Sequence, residues 1–269
     1  MSPTHLLIDR QGAVETWTLN DPASRNALND AMVDSLLQAC LRAGQDASLR
    51  IVVLTGAGGA FCAGGSLGSF AKLIGQPLQA GETDPLLAMN RSFGDLLHAL
   101  TTLPQLLVCR VDGAAMGGGL GLVCCADHVV ATARSVLGTP EVTLGLPPAQ
   151  IAPFVWQRLG ENTARQCLLQ GLSYSAEQAH AMGLVNEVIE LNNDTAWQAT
   201  LQRLMRAAPG AVASTKQLLR MLRSPMPDLR NVAAQAFAQG LRSTEAAQGL
   251  SAFASKKPAP WTQPNEYHP

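Results

Sequence analysis

Short apolar segments recur through the first half of the chain and predict a core built on β-strands. Most are continuous runs, which are typical of strands buried on both faces. They lie at 6–8, 14–19, 51–55, 106–111 and 129–132. Because helical patterns and glycine-rich turns separate these runs, the first part of the chain predicts an α/β fold.

Helical periodicity is clearest after Asn29, which is placed to cap a helix. The apolar residues that follow have the spacing of a core-facing stripe: Val33, Leu36, Leu37, Cys40 and Leu41. A second helix is predicted over 176–182, where Ser175 and Gln178 form a capping box and Gly183 can end the helix.

The strand pattern stops near residue 195. Helical patterns then succeed one another, broken by the prolines Pro209, Pro225 and Pro227. The tail after Pro258 is rich in proline and is predicted to be extended. We therefore divide the chain into an α/β core, 1–195, and a helical C-terminal region with its tail, 196–269.

Composition narrows the class of protein. Of the 269 residues, 47% are hydrophobic and only 14% are charged, so we expect part of the surface to be buried in a homo-oligomer. The net charge is −1 and no block of Lys or Arg occurs, which disfavours nucleic acid and membrane surfaces as partners. With no long apolar segment or signal peptide, we expect a soluble, cytoplasmic protein.

Metal and nucleophile motifs are missing from the sequence. The six cysteines lack CxxC spacing and are expected to be buried free thiols, and the five histidines lack HExxH spacing. No GxSxG occurs, so a serine hydrolase is not indicated. We expect neither a metal nor a separate cofactor.

Two glycine clusters, 55–66 and 111–121, each follow a predicted strand. No Lys-Ser or Lys-Thr follows the glycines, so a Walker A loop is excluded. A dinucleotide fingerprint from Gly56 fails because Phe61 stands where its third glycine belongs. Tight turns would explain either cluster alone. The second cluster, however, precedes a predicted helix at 120–126, whose free N–H groups could stabilise an oxyanion.

The chain resembles the crotonase (enoyl-CoA hydratase/isomerase) family from about residue 5 to about residue 260. The resemblance is carried by the motifs at 25–28, 51–65, 111–119, 140–145 and 179–186. It implies a spiral of ββα units with a helical C-terminal trimerisation region, assembled as a trimer or a hexamer. It also implies an acyl-CoA substrate, with coenzyme A as part of the substrate.

The resemblance implies a set of site residues. The backbone N–H groups of Gly65 and Gly118 would form the oxyanion hole for the thioester oxygen. Contacts with CoA or the acyl group are implied or expected at Arg25, Ala63, Ser66, Leu67, Gly68 and Trp261. Where well-known hydratases of the family carry two glutamates, this chain has Gly121 at the first position and Glu141 at the second.

With Glu141 as the only expected carboxylate, two reactions stay open. Glu141 can direct water to C3 and a proton to C2, or it can move a proton between C2 and C4 as an isomerase. The segment 145–154 resembles hydratases of 3-methylglutaconyl-CoA or isohexenylglutaconyl-CoA, which favours hydration. Gln150 is either a group that orients the water or a helix cap. A weakly active acyl-CoA-binding protein is a further alternative.

Overall fold

The computed structural model describes residues 5–66, 68, 73–78, 81, 83–222 and 229–260. The strands are β1 (Leu6–Gln11), β2 (Val14–Leu19), β3 (Ile51–Gly56), β4 (Leu106–Val111), β5 (Ala114–Met116), β6 (His128–Thr132), β7 (Val136–Gly138), β8 (Ser173–Ser175) and β9 (Glu187–Ile189). The helices are α1 (Asp30–Gly44), α2 (Pro85–Thr102), α3 (Gly118–Cys124), α4 (Ala152–Gln170), α5 (Ala176–Ala181), α6 (Asp194–Leu204), α7 (Pro209–Leu222), α8 (Arg230–Leu241) and α9 (Thr244–Ala254). Two short 3-10 helices span Pro22–Ser24 and Pro140–Leu144.

The described strands form two sheets. The larger sheet has the order β1-β2-β3-β4-β6-β9, antiparallel between β1 and β2 and parallel elsewhere. The smaller sheet has the order β5-β7-β8. Because β3 and β4 are parallel neighbours, the loops that follow them leave from the same edge of the sheet. Both glycine clusters lie on those loops.

The predicted elements are largely confirmed, with shifted ends. Asn29 caps α1 by accepting a hydrogen bond from the Met32 amide, and Ser175 and Gln178 form the capping box of α5. The prediction that Leu41 belongs to the core-facing stripe of α1 was wrong. Leu41 is 60% exposed, because it lies one position beyond Cys40, which forms the buried edge of the stripe. The helix predicted at 120–126 starts earlier, at Gly118, because Gly117 has a positive φ of 51° and turns the chain directly into α3.

The C-terminal helices share a core with the body of the molecule. Leu241 in α8 and Ala246 in α9 pack with Leu86 in α2 and with Leu146, which follows the second 3-10 helix. In α7 the buried Lys216 donates hydrogen bonds to the Gln105 carbonyl and to the Asp127 carboxylate. Helices α8 and α9 therefore pack beside the second 3-10 helix, whereas α7 lies at the edge of the larger sheet where β4 and β6 begin. The division at residues 195 and 196 stays a prediction.

All six cysteines are free and buried, as predicted. Burial raises the pKa of the Cys40, Cys62, Cys109 and Cys124 thiols to about 12, so these groups are protonated and unreactive near neutral pH. Among the residues with described structure, no helix has the length and apolar character needed to cross a bilayer.

Candidate active site

The first glycine loop is held by a buried asparagine. Asn26 is fully buried, and its amide nitrogen donates hydrogen bonds to the carbonyls of Ala57, Ala60 and Phe61. Farther along the loop, the Leu28 amide donates to the Gly64 carbonyl at 2.8 Å, and the Ser66 amide donates to the Leu28 carbonyl at 3.0 Å. These bonds hold the segment around Gly65 in an extended conformation.

The second glycine loop packs directly on the first. A Cβ built on Gly113 would lie 2.1 Å from the Gly59 carbonyl oxygen, and one on Gly119 would lie 2.6 Å from the Cys62 carbonyl oxygen. Both distances are far below van der Waals contact, so only glycine permits this approach. A parallel bridge between Cys62 and β5 completes the junction.

The amides of Gly65 and Gly118 have no hydrogen-bond partner among the described residues. Since the Gly64 carbonyl and the Ser66 amide both face Leu28, the Gly65 amide between them faces the opposite side, where β5 lies. Gly118 is the first residue of α3, so its N–H has no partner within the helix. A Cβ built on Gly64 would lie 3.4 Å from the Gly118 nitrogen, which shows how closely the two segments approach.

Both amides border one cavity of ≈ 170 Å³. Most of its wall is backbone of the two glycine loops and apolar side chains, which include Leu28, Val33, Met89, Phe93, Leu144, Leu146 and Phe237. Two acidic residues, Asp30 and Glu141, also border it. No Lys, Arg or His is among the described residues of this wall. The cavity is thus suited to an apolar chain that ends in a group with an oxygen acceptor.

Glu141 points into this cavity from the second 3-10 helix. Its Oε1 would lie 2.7 Å from a Cβ built on Gly117, so the carboxyl group lies against the backbone that leads into Gly118. Its Oε2 is buried and has no hydrogen-bond partner among the described residues. Burial without a nearby cation raises the pKa of Glu141 to about 7. A carboxyl with this pKa can both accept and release a proton near neutral pH.

The place of the family's first glutamate is filled by Ile151. A Cβ built on Gly121 would lie 2.4 Å from Cγ2 and 3.1 Å from Cβ of Ile151, with Leu97 also in contact. Every residue of α3 is buried. An acidic side chain at position 121 therefore has no room, and among the described residues of the cavity wall Glu141 is the only one with a buried carboxyl oxygen.

Gln150 lies in the cavity wall, but the helix-cap interpretation was wrong. The N-cap residue of α4 is Ile151, which makes no side-chain cap bond. Gln150 is 4% exposed, its Nε2 donates to the Arg230 carbonyl at 3.0 Å, and its Oε1 lies against Gly94. Gln150 thus bonds to the residue that begins α8 instead of capping α4, because Gly94 leaves space for its side chain. A role in orienting water stays a prediction.

The other predicted residues are only partly brought together. Ala63 borders the cavity, whereas Arg25, Ser66 and Gly68 do not. Arg25 is exposed, and its backbone carbonyl accepts a hydrogen bond from the Ala63 amide at 3.0 Å. Leu67 and Trp261 lie outside the described residues.

Sequence reasoning missed several residues that shape the site. Asn26, inside a recognised motif, holds the first loop, and Asn90, Phe93 and Phe237 border the cavity from α2 and α8. The sequence contained one signal for Asn26, since asparagine side chains commonly hydrogen-bond backbone groups in turns and loops. It contained none for the α8 residue, because a wall built from distant helices depends on how those helices pack.

Comparison with known proteins decides the family. The sequence profile described as Enoyl-CoA hydratase/isomerase matches residues 9–264. The chain belongs to the enoyl-CoA hydratase/isomerase family. It is therefore an enzyme of the crotonase fold, as the resemblance implied.

Individual relatives agree with this assignment. The chain is 31% identical to the 2,3-dehydroadipyl-CoA hydratase of Escherichia coli over 263 residues, which cover 94% of this chain and 97% of that protein. Crystal structures include an enoyl-CoA hydratase/isomerase from Marinobacter aquaeolei (37% identity, TM-score 0.76, covering 96% of this chain and 98% of the other). Another similar structure is AtuE of Pseudomonas aeruginosa (38% identity, TM-score 0.77, covering 96% and 100%).

The raised pKa of Glu141 predicts the pH dependence of both activity and stability. We expect kcat/KM to fall about tenfold for each pH unit below about 7 and to level off above it, because the base must be ionised.

The stability of the fold should depend on pH as well. The folded-state pKa of Glu141 lies above the unfolded value, so the stabilisation from the neutral carboxyl is complete below pH 4.5 and is lost as pH rises towards 7. In urea unfolding, the free energy of unfolding of Glu141→Gln should therefore rise relative to that of wild type over this pH interval, by about 1.4 kcal/mol per pH unit. A stability difference that does not change with pH would contradict the assignment.

Packing at Gly121 predicts that the missing carboxylate cannot be restored by one substitution. Gly121→Glu should lower the free energy of unfolding by about 1–3 kcal/mol through overpacking against Ile151, without raising the hydration rate. The measurement is the urea midpoint together with the steady-state rate. Gly210→Glu is the control, because a Cβ on this helical glycine meets nothing within 4 Å. Equal stability of the Gly121 variant and this control would show that position 121 is open.

Proposed function

We propose that the protein adds water across the 2,3 double bond of a 2-enoyl-CoA thioester. The observation that carries the proposal is a carboxyl group with one buried oxygen and a pKa of about 7, on the same cavity as two backbone N–H groups that have no partner among the described residues. The site thus combines a base, an acid and an oxyanion site, which are the groups that hydration needs. In this proposal Glu141 transfers protons, and Gly65 and Gly118 bind the thioester oxygen.

The reaction can be written with one carboxyl group. The Glu141 carboxylate accepts a proton from water while the water oxygen bonds to C3. The electron pair of the double bond then moves towards the thioester, and negative charge grows on its oxygen. The amides of Gly65 and Gly118 stabilise this charge, and each such donor contributes about 3–4 kcal/mol to lowering the barrier. Glu141 finally gives its proton to C2, so the net change is the addition of one water.

Isomerisation uses the same groups and is the alternative function. The filled space at Gly121 supports it, because a proton shift between C2 and C4 needs a single carboxyl group. In that reaction Glu141 takes a proton from C4 and returns it to C2 through the same enolate. No oxygen from water enters the product.

Heavy-oxygen water separates hydration from isomerisation. We expect incubation with a 2-enoyl-CoA to place the label in a 3-hydroxyacyl-CoA, detected by mass spectrometry. Glu141→Gln should lower kcat by about 10²- to 10⁴-fold, because the variant cannot transfer the proton, with little change in substrate affinity. The matched control is Glu161→Gln, on the exposed side of α4.

Other results of this experiment would point to the alternatives. A shifted double bond without label would favour the isomerase. If CoA thioesters bind without turnover and Glu141→Gln has no kinetic effect, the result would favour an acyl-CoA-binding protein.

For the acyl group we propose a glutaconyl-type substrate branched at C3. Two features support this proposal. The segment 145–154 resembles hydratases of 3-methylglutaconyl-CoA or isohexenylglutaconyl-CoA, and the apolar cavity wall suits an alkyl branch at C3. The carboxylate of such a substrate would find no cation among the described wall residues. Of two basic residues near this part of the chain, Arg91 is half-buried and donates to Asn231, and Lys72 lies outside the described residues.

We further propose a homo-oligomer, a trimer or a hexamer, located in the cytoplasm. Exposed apolar side chains on α7, among them Leu218, Leu219 and Met221, support an interface. Sedimentation velocity should show a species of three or six chains. A monomer at micromolar concentration would contradict the proposal.

A further inference from the structure

Helix α2 carries one polar residue on its otherwise apolar inner stripe. Leu86 and Leu97 on this stripe are fully buried, and Asn90, which is half-buried, lies between them at helical spacing. Asn90 borders the cavity together with Met89 and Phe93. A polar side chain at such a position is not explained by packing of the helix on the core.

The Asn90 side chain has no hydrogen-bond partner among the described residues. Its Oδ1 is buried and unpartnered. Buried polar atoms in native proteins nearly always have a partner, and leaving one without a partner opposes folding. The natural partner for an atom at a cavity wall is a molecule inside the cavity.

Neighbouring polar groups are engaged elsewhere. Gln150 donates to the Arg230 carbonyl, Arg91 donates to Asn231, and the Arg230 guanidinium pairs with Asp95. Together with the absence of basic side chains from the described cavity wall, this leaves Asn90 as the candidate for polar recognition on the α2 side.

The place of Asn90 shows which part of a substrate it would meet. Phe93, nearly one turn later, has its ring 3.2 Å from a Cβ built on Gly118 and so lies beside the proposed oxyanion amide. Asn90 is three residues earlier, about 4.5 Å along the helix axis. A group that contacts Asn90 would therefore be displaced from the thioester oxygen by about this distance along α2.

We propose that Asn90 is a specificity-determining residue that hydrogen-bonds an oxygen function, a carboxyl or a hydroxyl group, on the acyl chain beyond the reacting double bond. The inference rests on the proposed function only in taking an acyl-CoA as the ligand. A carboxamide both donates and accepts hydrogen bonds, so it can serve either group. In an apolar cavity, such a residue rejects chains that leave it unpartnered.

Binding of three unreactive thioesters tests the inference without requiring turnover. They share a C3 methyl branch and differ in the end of the chain: 3-methylbutanoyl-CoA, 3-methylglutaryl-CoA and 5-hydroxy-3-methylpentanoyl-CoA. By calorimetry we expect wild type to bind one oxygenated thioester at least about tenfold tighter than the apolar one. Asn90→Leu, which is close in shape, should abolish this preference and leave affinity for the apolar thioester within about twofold.

A second variant identifies the oxygen function. Asn90→Asp should weaken 3-methylglutaryl-CoA through charge repulsion and retain 5-hydroxy-3-methylpentanoyl-CoA, because a carboxylate still accepts from a hydroxyl. If Asn90 had only a structural role, Asn90→Asp would not weaken the binding of one oxygenated thioester while retaining that of the other. The matched control is Asn162→Leu, at an exposed position on α4, which should keep the wild-type preference.

The inference is overturned if wild type shows no preference, or if Asn90→Leu and Asn90→Asp weaken all three thioesters equally. Hydration of the unsaturated counterparts, assayed in parallel, tests the proposed function separately. A preference that depends on Asn90 but is unaccompanied by water addition would refute only the hydratase proposal. Water addition to all three chains regardless of Asn90 would refute only the role of Asn90.

Discussion

The site depends on a backbone contact that only glycine permits. Gly113 and Gly119 approach carbonyl groups of the first loop at distances that no side chain could tolerate. This approach brings Gly65, in the loop after β3, and Gly118, the first residue of α3, to the same cavity. Because their N–H groups are fixed by the backbone, they need little reorganisation when charge develops on a bound oxygen.

The electrostatic character of the site follows from what surrounds Glu141. The carboxyl lies against Gly117 without a hydrogen-bond partner for Oε2 or a basic neighbour among the described wall residues, so burial raises its pKa. Residues that stabilise the fold show the opposite arrangement. Glu15 is also buried, but Arg42 and Trp17 donate hydrogen bonds to it and lower its pKa. The contrast separates a carboxylate that holds structure from one available for proton transfer.

The substitution at Gly121 is a packing change as well as the loss of an acid. Ile151, at the start of α4, occupies the volume that a side chain at position 121 would need. Ile151 also borders the cavity on which Glu141 lies, so the space that a side chain at position 121 would need is taken by an apolar wall residue.

The cavity wall opposite the glycine loops comes from helices that are distant in sequence. Asn90 and Phe93 are in α2, Phe237 is in α8, and Gln150 is tied to α8 through the Arg230 carbonyl. The C-terminal helices therefore contribute to the site as well as to the core.

The sequence by itself determined the strand and helix pattern and the two glycine loops, because these depend on local periodicity and on turn residues, and the resemblance of its motifs to the family singled out Glu141 and Gly121. Tertiary structure alone decided the exposure of Leu41, the partner of Gln150, the filling of Gly121 by Ile151 and the position of Asn90 on the cavity. Each of these depends on contacts between residues far apart in the chain. Local spacing carries no information on such distances, so the residues that shape the acyl pocket emerged only from the packed structure.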